Sequence, residues 1–211
     1  MRHVAFVAPR FLANTLRYVT AFAELPGAEV SVISEDPETK LPPALREKLA
    51  GHYSVKNIGD AGELVRAGRA IHKGVGPIDR LCGALEQLQV PMAEARDRLG
   101  IEGMGLEVAR RFRDKDRMKE ILRRAGVPVA KSALCASADE LRKFTRAVGF
   151  PIVVKPPAGV GSRATFRIGS DAQLEAMLAM GMAPTKTKPA QAEEFVRGRE
   201  HTCETITIGG T

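Results

Sequence analysis

The 211-residue chain contains few cysteine and aromatic residues and no tryptophan. Its cysteines, Cys82, Cys135 and Cys203, lie far apart, and none belongs to a Cys-x-x-Cys pair, which excludes a disulfide framework and a thiolate zinc site. The four histidines are equally scattered, so no metal site is predicted. No apolar run reaches the roughly 18 residues of a membrane span. The sequence therefore predicts a cytoplasmic protein that does not enter a membrane.

Acidic residues are also in deficit, because 32 Lys and Arg face 25 Asp and Glu and leave a net charge of +7. Much of the excess lies in residues 96–124. A basic stretch can serve nucleic acid, a membrane surface or a small polyanion. Nucleic-acid-binding surfaces usually interleave aromatic residues with basic ones, and Phe112 is the only aromatic residue in this stretch. A phosphate-rich small ligand explains the charge at least as well, and a nucleic-acid-binding domain remains an alternative.

The first hundred residues alternate between strand-like and helix-like patterns. A β-branched and aromatic run over 3–8, a helical spacing over 14–25 and a second strand over 29–33 form the unit of a parallel sheet. Further helices are predicted over 42–50, 60–73 and 83–99, and short strands over 52–58 and 74–81. Residues 1–100 therefore predict an α/β domain.

The character of the chain changes after Gly100. A glycine-rich link leads into two basic helices, near 105–112 and 115–125, and the later pattern mixes strands with helices. Ser137 opens one helix with a capping-box pattern, another is predicted over 171–180, and a polar loop over 181–190. The strands are predicted over 129–134, 152–155, 164–168, 191–196 and 200–208. The chain ends on Gly-Gly-Thr directly after a predicted strand, so we expect it to be the first part of a longer protein.

The strongest chemical signal is Lys155, which ends a predicted buried strand just before a glycine-bearing loop. Gly159 and Gly161 would let backbone N–H groups approach an anion closely, and Ser162 adds a hydroxyl donor. The spacing matches neither the Walker loop nor the dinucleotide fingerprint. Phosphate binding and a plain hairpin with a solvated lysine explain this segment equally well.

Two further segments carry charged residues on predicted inward faces. Lys115 opens a helix whose apolar stripe is Met118, Ile121, Leu122 and Ala125. An inward lysine has a partner or ligand, unless its long stem reaches water at the helix end. In the segment 193–204, strand alternation places Glu200 and Glu204 on one face. These carboxylates indicate either a nucleotide site or an ordinary edge strand.

Together these three segments resemble the ATP-grasp superfamily, which includes biotin carboxylase, carbamoyl phosphate synthase and the carboxylate–amine ligases. Residues 113–128 are similar to its helix and exit, 149–156 to its phosphate-lysine strand, 156–165 to its glycine-rich loop, and 193–200 to its adenine hinge and ribose contact. Residues 1–100 match the preceding Rossmann-like domain in kind. The resemblance implies an α/β fold in which this Rossmann-like pre-ATP-grasp domain is followed by the first, α+β part of an ATP-grasp domain. That part comprises a helical linker over 101–127, a lid-like subdomain over 128–190, and a hinge with the start of a C-terminal subdomain over 191–211.

The resemblance also implies roles for individual residues. Two lysines would contact the α- and β-phosphates, the glycine loop would close over the triphosphate, and the hinge would hold adenine and ribose. In the hinge, the main chain of Glu194 and Val196 would bind the adenine edge with Phe195 between them, and two glutamates would lie near the adenine amine and the ribose. The complete implied set is Lys115, Lys155, Gly159, Gly161, Ser162, Glu193, Glu194, Phe195, Val196 and Glu200.

The implied activity is that of an ATP-dependent ligase that activates a carboxylate as an acyl phosphate for attack by an amine or similar nucleophile. ATP and Mg²⁺ are the implied cofactors, and the metal ligands are expected beyond Thr211, so the 211 residues alone are expected to be inactive. Ser162 and Thr165 stand in a loop sparser in glycine than that of biotin carboxylase, which favours a carboxylate–amine ligase. A homo-oligomer is compatible with this interpretation. The alternatives are a non-catalytic nucleotide-binding or regulatory module and a basic nucleic-acid-binding domain.

Overall fold

A computed structural model describes residues 1–157, 165–199 and 201–204. The chain forms two compact units, Met1–Met118 and Lys119–Thr211. Within the described residues, no helix combines the length and the apolar composition needed to cross a lipid bilayer.

The first unit contains a parallel four-stranded sheet in the order β3-β2-β1-β4. Its strands are β1 (Arg2–Val7), β2 (Ala28–Ser34), β3 (Gly51–Ser54) and β4 (Arg80–Cys82). The helices of this unit are α1 (Ala13–Ala23), α2 (Pro43–Arg46), α3 (Ala61–Gly74), α4 (Gln89–Leu99) and α5 (Leu106–Arg113), and α6 (Lys115–Arg124) runs across the boundary into the second unit.

Both faces of the central strands are buried, because alternate residues of β1 and β2 enter two different apolar clusters. Ala5 and Val7 of β1 pack with side chains of α3 and α4, such as Leu64 and Met92. Phe6 packs into the other cluster with residues of α1, α2 and β2, among them Val19, Leu45, Val30 and Val32. The continuous apolar run at the N-terminus is therefore a strand of a two-sided core, as the sequence predicts.

Two predicted helices of this unit are shorter than expected. The predicted helix 42–50 forms only the single turn of α2. The predicted helix 83–99 is divided into a 3₁₀ turn at Glu86–Leu88 and α4. Pro91 gives a physical reason for the second difference. A proline has no N–H group and is tolerated in the first turn of a helix, so α4 begins two residues before it.

The second unit contains an antiparallel four-stranded sheet in the order β5-β8-β6-β7. The strands are β5 (Ser132–Cys135), β6 (Ile152–Lys155), β7 (Phe166–Ile168) and β8 (Ala190–Glu194). Helices α7 (Ala138–Val148) and α8 (Asp171–Met177) pack on one face of the sheet. A π-helical turn, Leu178–Met182, follows α8. Ser137 is the N-cap of α7, as predicted, and its Oγ accepts from Glu140 N. The Glu140 carboxylate accepts at 2.6 Å from Ala136 N, which lies one residue before the N–H that a complete capping box uses.

The last predicted strand, 200–208, is not found in its described part, because residues 201–204 form no strand. Its other residues, Glu200 and 205–208, lie outside the described residues. The strand predicted over 191–196 corresponds to β8, which ends at Glu194.

Candidate functional site

The two central strands of the second sheet carry apolar side chains on one face and polar ones on the other. Ile152, Val154 and Ala192 belong to the core under α7 and α8. The alternate residues of the same strands therefore occupy the opposite face. Pairing places Lys155 opposite Gln191, and Val153 opposite Glu193. A lysine, an amide and a carboxylate thus lie side by side on this polar face.

Glu193 is the centre of this group, because each of its carboxylate oxygens meets a different lysine. Lys155 Nζ donates a hydrogen bond to Oε2 at 2.7 Å. Lys119 Nζ lies 2.7 Å from Oε1; this contact is an ion pair without the alignment of a hydrogen bond. The side chains of Lys119 and Glu193 are each 10% exposed, and that of Lys155 is 22% exposed. The glutamate and its two lysines, hereafter the Glu193 triad, form a largely desolvated cluster.

The environment of Glu193 keeps it ionised. Burial by itself would raise the pKa of its carboxyl group, but the close contacts and positive charges of Lys119 and Lys155 outweigh burial and hold the pKa below its usual value. Two ammonium groups and one carboxylate leave one positive charge on the triad. A desolvated positive charge attracts an anion strongly, because the surrounding medium screens it poorly.

Gln191 is the fourth polar residue on this face. Its side chain is fully buried, and neither Oε1 nor Nε2 has a hydrogen-bond partner among the described residues. This amide, which has no protein hydrogen-bond partner among the described residues, lies directly beside Lys155 on the polar face.

The residues after β8 form the edge of the site. The guanidinium of Arg167 lies 4.5 Å from the ring centroid of Phe195, a cation–π contact. The backbone N–H of Phe195 donates to the Pro151 carbonyl, and that of Glu194 to the Lys131 carbonyl. The Glu194 N–H is thus already used, so only its carbonyl could meet a ligand edge. Val196 is 67% exposed.

The structure brings two of the predicted site residues, Lys155 and Glu193, into direct contact. Glu194 is the last residue of β8, the strand that carries Glu193, and Phe195 and Val196 follow it. Gly159, Gly161, Ser162 and Glu200 lie outside the described residues. Lys115 is half-buried at the first residue of α6, in the first unit.

Lys119 was not predicted, and its burial corrects the expected inward face of α6. The residue is 8% exposed, whereas Ile121, placed on the inward stripe by the sequence, is 38% exposed; Ala125 is exposed as well. Lys119 lies on the inward face of the helix, where its ammonium group forms an ion pair with the Glu193 carboxylate. The signal in the sequence was the spacing, since Lys119 lies one turn after Lys115 and one turn before Leu122.

Comparisons with known proteins identify similar domains and folds. The model for the carbamoyl-phosphate synthase L chain, ATP binding domain, matches residues 114–202, which include the whole Glu193 triad. Residues 114–202 belong to the ATP-grasp superfamily. The L-arginine-specific L-amino acid ligase of Bacillus subtilis is 29% identical over 140 residues, which cover 64% of this chain and 34% of that protein.

Solved structures extend the likeness over nearly the whole chain. The L-amino acid ligase from Bacillus licheniformis superimposes with a TM-score of 0.70 at 18% identity, covering 94% of this chain and 45% of that one. The biotin carboxylase domain of the Hydrogenobacter thermophilus 2-oxoglutarate carboxylase, in complex with MgADP, gives 0.67 at 20% identity, covering 92% and 44%. The chain thus spans about half the length of these ATP-grasp structures. The predicted fold class, a parallel α/β unit followed by the first part of an ATP-grasp fold, is confirmed.

Proposed function

We propose that the protein is an ATP-dependent ligase that activates a carboxylate as an acyl phosphate for attack by an amine or similar nucleophile, and that these residues supply part of its ATP site. The observation that carries the proposal is the Glu193 triad, in which two lysines converge on one buried carboxylate and leave a net positive charge. The matched family model describes an ATP-binding domain, and two of the similar proteins are amino acid ligases.

The composition of the triad favours phosphate binding over a purely structural role. A buried ion pair is complete with one lysine and one carboxylate, so a second lysine adds a desolvated charge that needs its own compensation. Lys155 is the last residue of β6 and the more exposed of the two lysines. An anion placed at this strand end would supply the missing negative charge.

The remaining assignments follow the family pattern and form part of the proposal. Lys155 and Lys115 would contact phosphates, together with the loop that holds Gly159, Gly161 and Ser162. The hinge residues would hold adenine and ribose; they are Glu193, Glu194, Phe195, Val196 and Glu200. The cation–π contact between Arg167 and Phe195 would fix the orientation of the hinge ring beside the adenine.

Mg²⁺ belongs to the proposal as the companion of the triphosphate. Within the described ranges no group of three His, Cys, Asp or Glu side chains could hold a metal ion. We therefore assign no described residue as a metal ligand. When bound, the ion would neutralise charge on the phosphate oxygens.

The substrates are proposed by class: ATP, a small carboxylate and an amine, with an amino acid as the first carboxylate to test because of the amino acid ligases among the relatives. The three cysteines are free thiols, which suits the reducing cytoplasm proposed for the protein. A homo-oligomer is compatible with the proposal and is measured by light scattering.

The basic stretch offers less support for nucleic-acid binding. Several arginines of α5 and α6 are ion-paired locally, as in the pairs Arg110–Glu107, Arg117–Asp114 and Arg124–Glu120. Such pairs reduce the free positive charge that a nucleic-acid backbone would need.

The decisive experiment measures the binding of MgADP to the purified protein by calorimetry. Lys155→Met should weaken binding about tenfold to a hundredfold, since it removes a charge-assisted contact to phosphate. The matched control is Lys143→Met, which removes an exposed lysine of α7 and should leave the affinity unchanged. Absence of nucleotide binding by the wild-type protein, or equal affinity of the wild type and Lys155→Met, would overturn the proposal.

A further inference from the structure

Lys119 is the most buried lysine described, at 8% exposure. Lysine is almost never fully buried without a partner, because its ammonium group loses hydration. Its partner here is Glu193, whose Oε1 lies 2.7 Å from the ammonium nitrogen. The position of Lys119 in the interior therefore depends on this carboxylate.

The two lysines of the triad differ in their freedom to reach a ligand. The side chain of Lys119 is 10% exposed and that of Lys155 is 22% exposed. Lys155 is also the last residue of its strand. If a phosphate draws Lys155 away, Glu193 keeps one lysine only when Lys119 is present. Without Lys119, the movement of Lys155 would leave a buried carboxylate unpaired, which is strongly unfavourable.

We propose that Lys119 is a positioning residue for the nucleotide site: it holds and neutralises Glu193, so that Lys155 can turn from the carboxylate to a phosphate. This inference rests on the proposed function, because it presumes that Lys155 binds a nucleotide phosphate. Lys119 acts through Glu193 and does not touch the nucleotide itself. It follows that the effect of Lys119 on affinity disappears when residue 193 carries no charge.

The test compares Lys119→Met in two backgrounds, with Mg²⁺ and ADP as the calorimetric probe. In the wild-type background the substitution should weaken binding by at least about tenfold, as expected for a lost charged contact. In the Glu193→Gln background it should have little further effect. Lys119→Arg should retain most of the wild-type affinity, because it preserves the charge. The matched control is Arg124→Met, which removes an exposed charge at the end of the same helix.

Equal weakening in both backgrounds would overturn the inference, since it would indicate a direct phosphate contact or a general effect on the fold. Wild-type affinity in Lys119→Met would overturn it as well. If Lys119→Met does not fold, the decision falls to Glu193→Gln and the double variant. Similar affinities of these two support the inference, and a large difference contradicts it. Binding by the wild type together with weakening by Lys155→Met would show that the proposed function survives when this inference fails.

Discussion

Lys155 and Glu193 join two adjacent antiparallel strands through a side-chain hydrogen bond of 2.7 Å between Nζ and Oε2. They are not direct partners in the strand register, since Lys155 faces Gln191 and Glu193 faces Val153. The lysine therefore reaches diagonally across the sheet, past an unpaired amide, to the carboxylate. This diagonal links the last residue of β6 to the last but one residue of β8.

The ionised state of Glu193 should make stability depend on pH. The folded protein holds the pKa of this carboxyl group below its ordinary value of 4.5. A lowered pKa contributes stability that is present above the ordinary value and is lost as pH falls through the folded value. Above pH 4.5, Glu193→Gln should lower the free energy of unfolding by about 3 kcal/mol, because the buried Lys119 and the half-buried Lys155 lose their carboxylate. Urea unfolding at a series of pH values measures this difference.

The same experiment contains its own control. Below the folded pKa the wild-type carboxyl group is protonated and resembles the amide of the variant, so the two unfolding curves should converge. A difference between the wild type and Glu193→Gln that stays constant from neutral to acidic pH would contradict an ionised, ion-paired Glu193.

Gln191 should be replaceable by leucine without loss of stability. An unpaired buried amide costs about 1–3 kcal/mol, and leucine has a similar size without polar atoms. We expect Gln191→Leu to match or exceed the wild-type stability by up to about 2 kcal/mol in urea unfolding. Gln191→Lys serves as the contrasting variant, because a third ammonium group beside the positively charged triad should destabilise the unit. Marked destabilisation by leucine would show that the amide has a bound partner such as water.

Two members of the Glu193 triad, Lys155 and Glu193, could be singled out from the sequence, and the structure places them in contact. Lys155 was found from a short β-branched strand that ends in a lysine. Glu193 was singled out because residues 193–200 resemble the adenine hinge of the ATP-grasp superfamily. Lys119 was missed because a lysine inside a basic helix resembles its solvated neighbours. Only the tertiary position of Glu193, on a strand more than seventy residues later in the chain, selects which lysine of α6 turns inward.

The fold was predictable at the level of element type and order, and less so at element ends. Strands β1 and β2 bury apolar side chains on both faces, a pattern that a helix on the surface does not show. Ile121 shows the limit: its helical spacing was correct, but the rotation of α6 about its axis depends on the ion pair of Lys119. The periodicity of a sequence identifies a helix, but it does not show which residue of a distant strand forms an ion pair with that helix.

The cysteines should differ strongly in reactivity. Burial, with a smaller contribution from the charge of Glu140, raises the pKa of Cys135 to about 11, and the residue is 1% exposed. Cys203 is exposed. A disulfide reagent at pH 8 should therefore label Cys203 rapidly and Cys135 only as the second unit unfolds, because the thiolate is the reactive form. Mass spectrometry of the labelled peptides over time measures the rates. Rapid labelling of Cys135 in the native protein would contradict its place in the core.

Arg167 should contribute to nucleotide affinity through the hinge ring that it covers. Its guanidinium lies over Phe195, and a partly exposed cation–π contact is worth about 0.5–1 kcal/mol. Arg167→Ala frees the ring, so the main chain beside it is less well fixed for an adenine edge. We expect MgADP affinity to fall about twofold to fivefold, with no comparable change in Arg146→Ala, which removes an exposed arginine of α7. Arg167→Lys should lie between these variants, because lysine keeps the charge and loses the planar stacking. Equal affinities of Arg167→Ala and the wild type would remove the Arg167–Phe195 contact from the nucleotide site, while leaving the role of Lys155 to its own test.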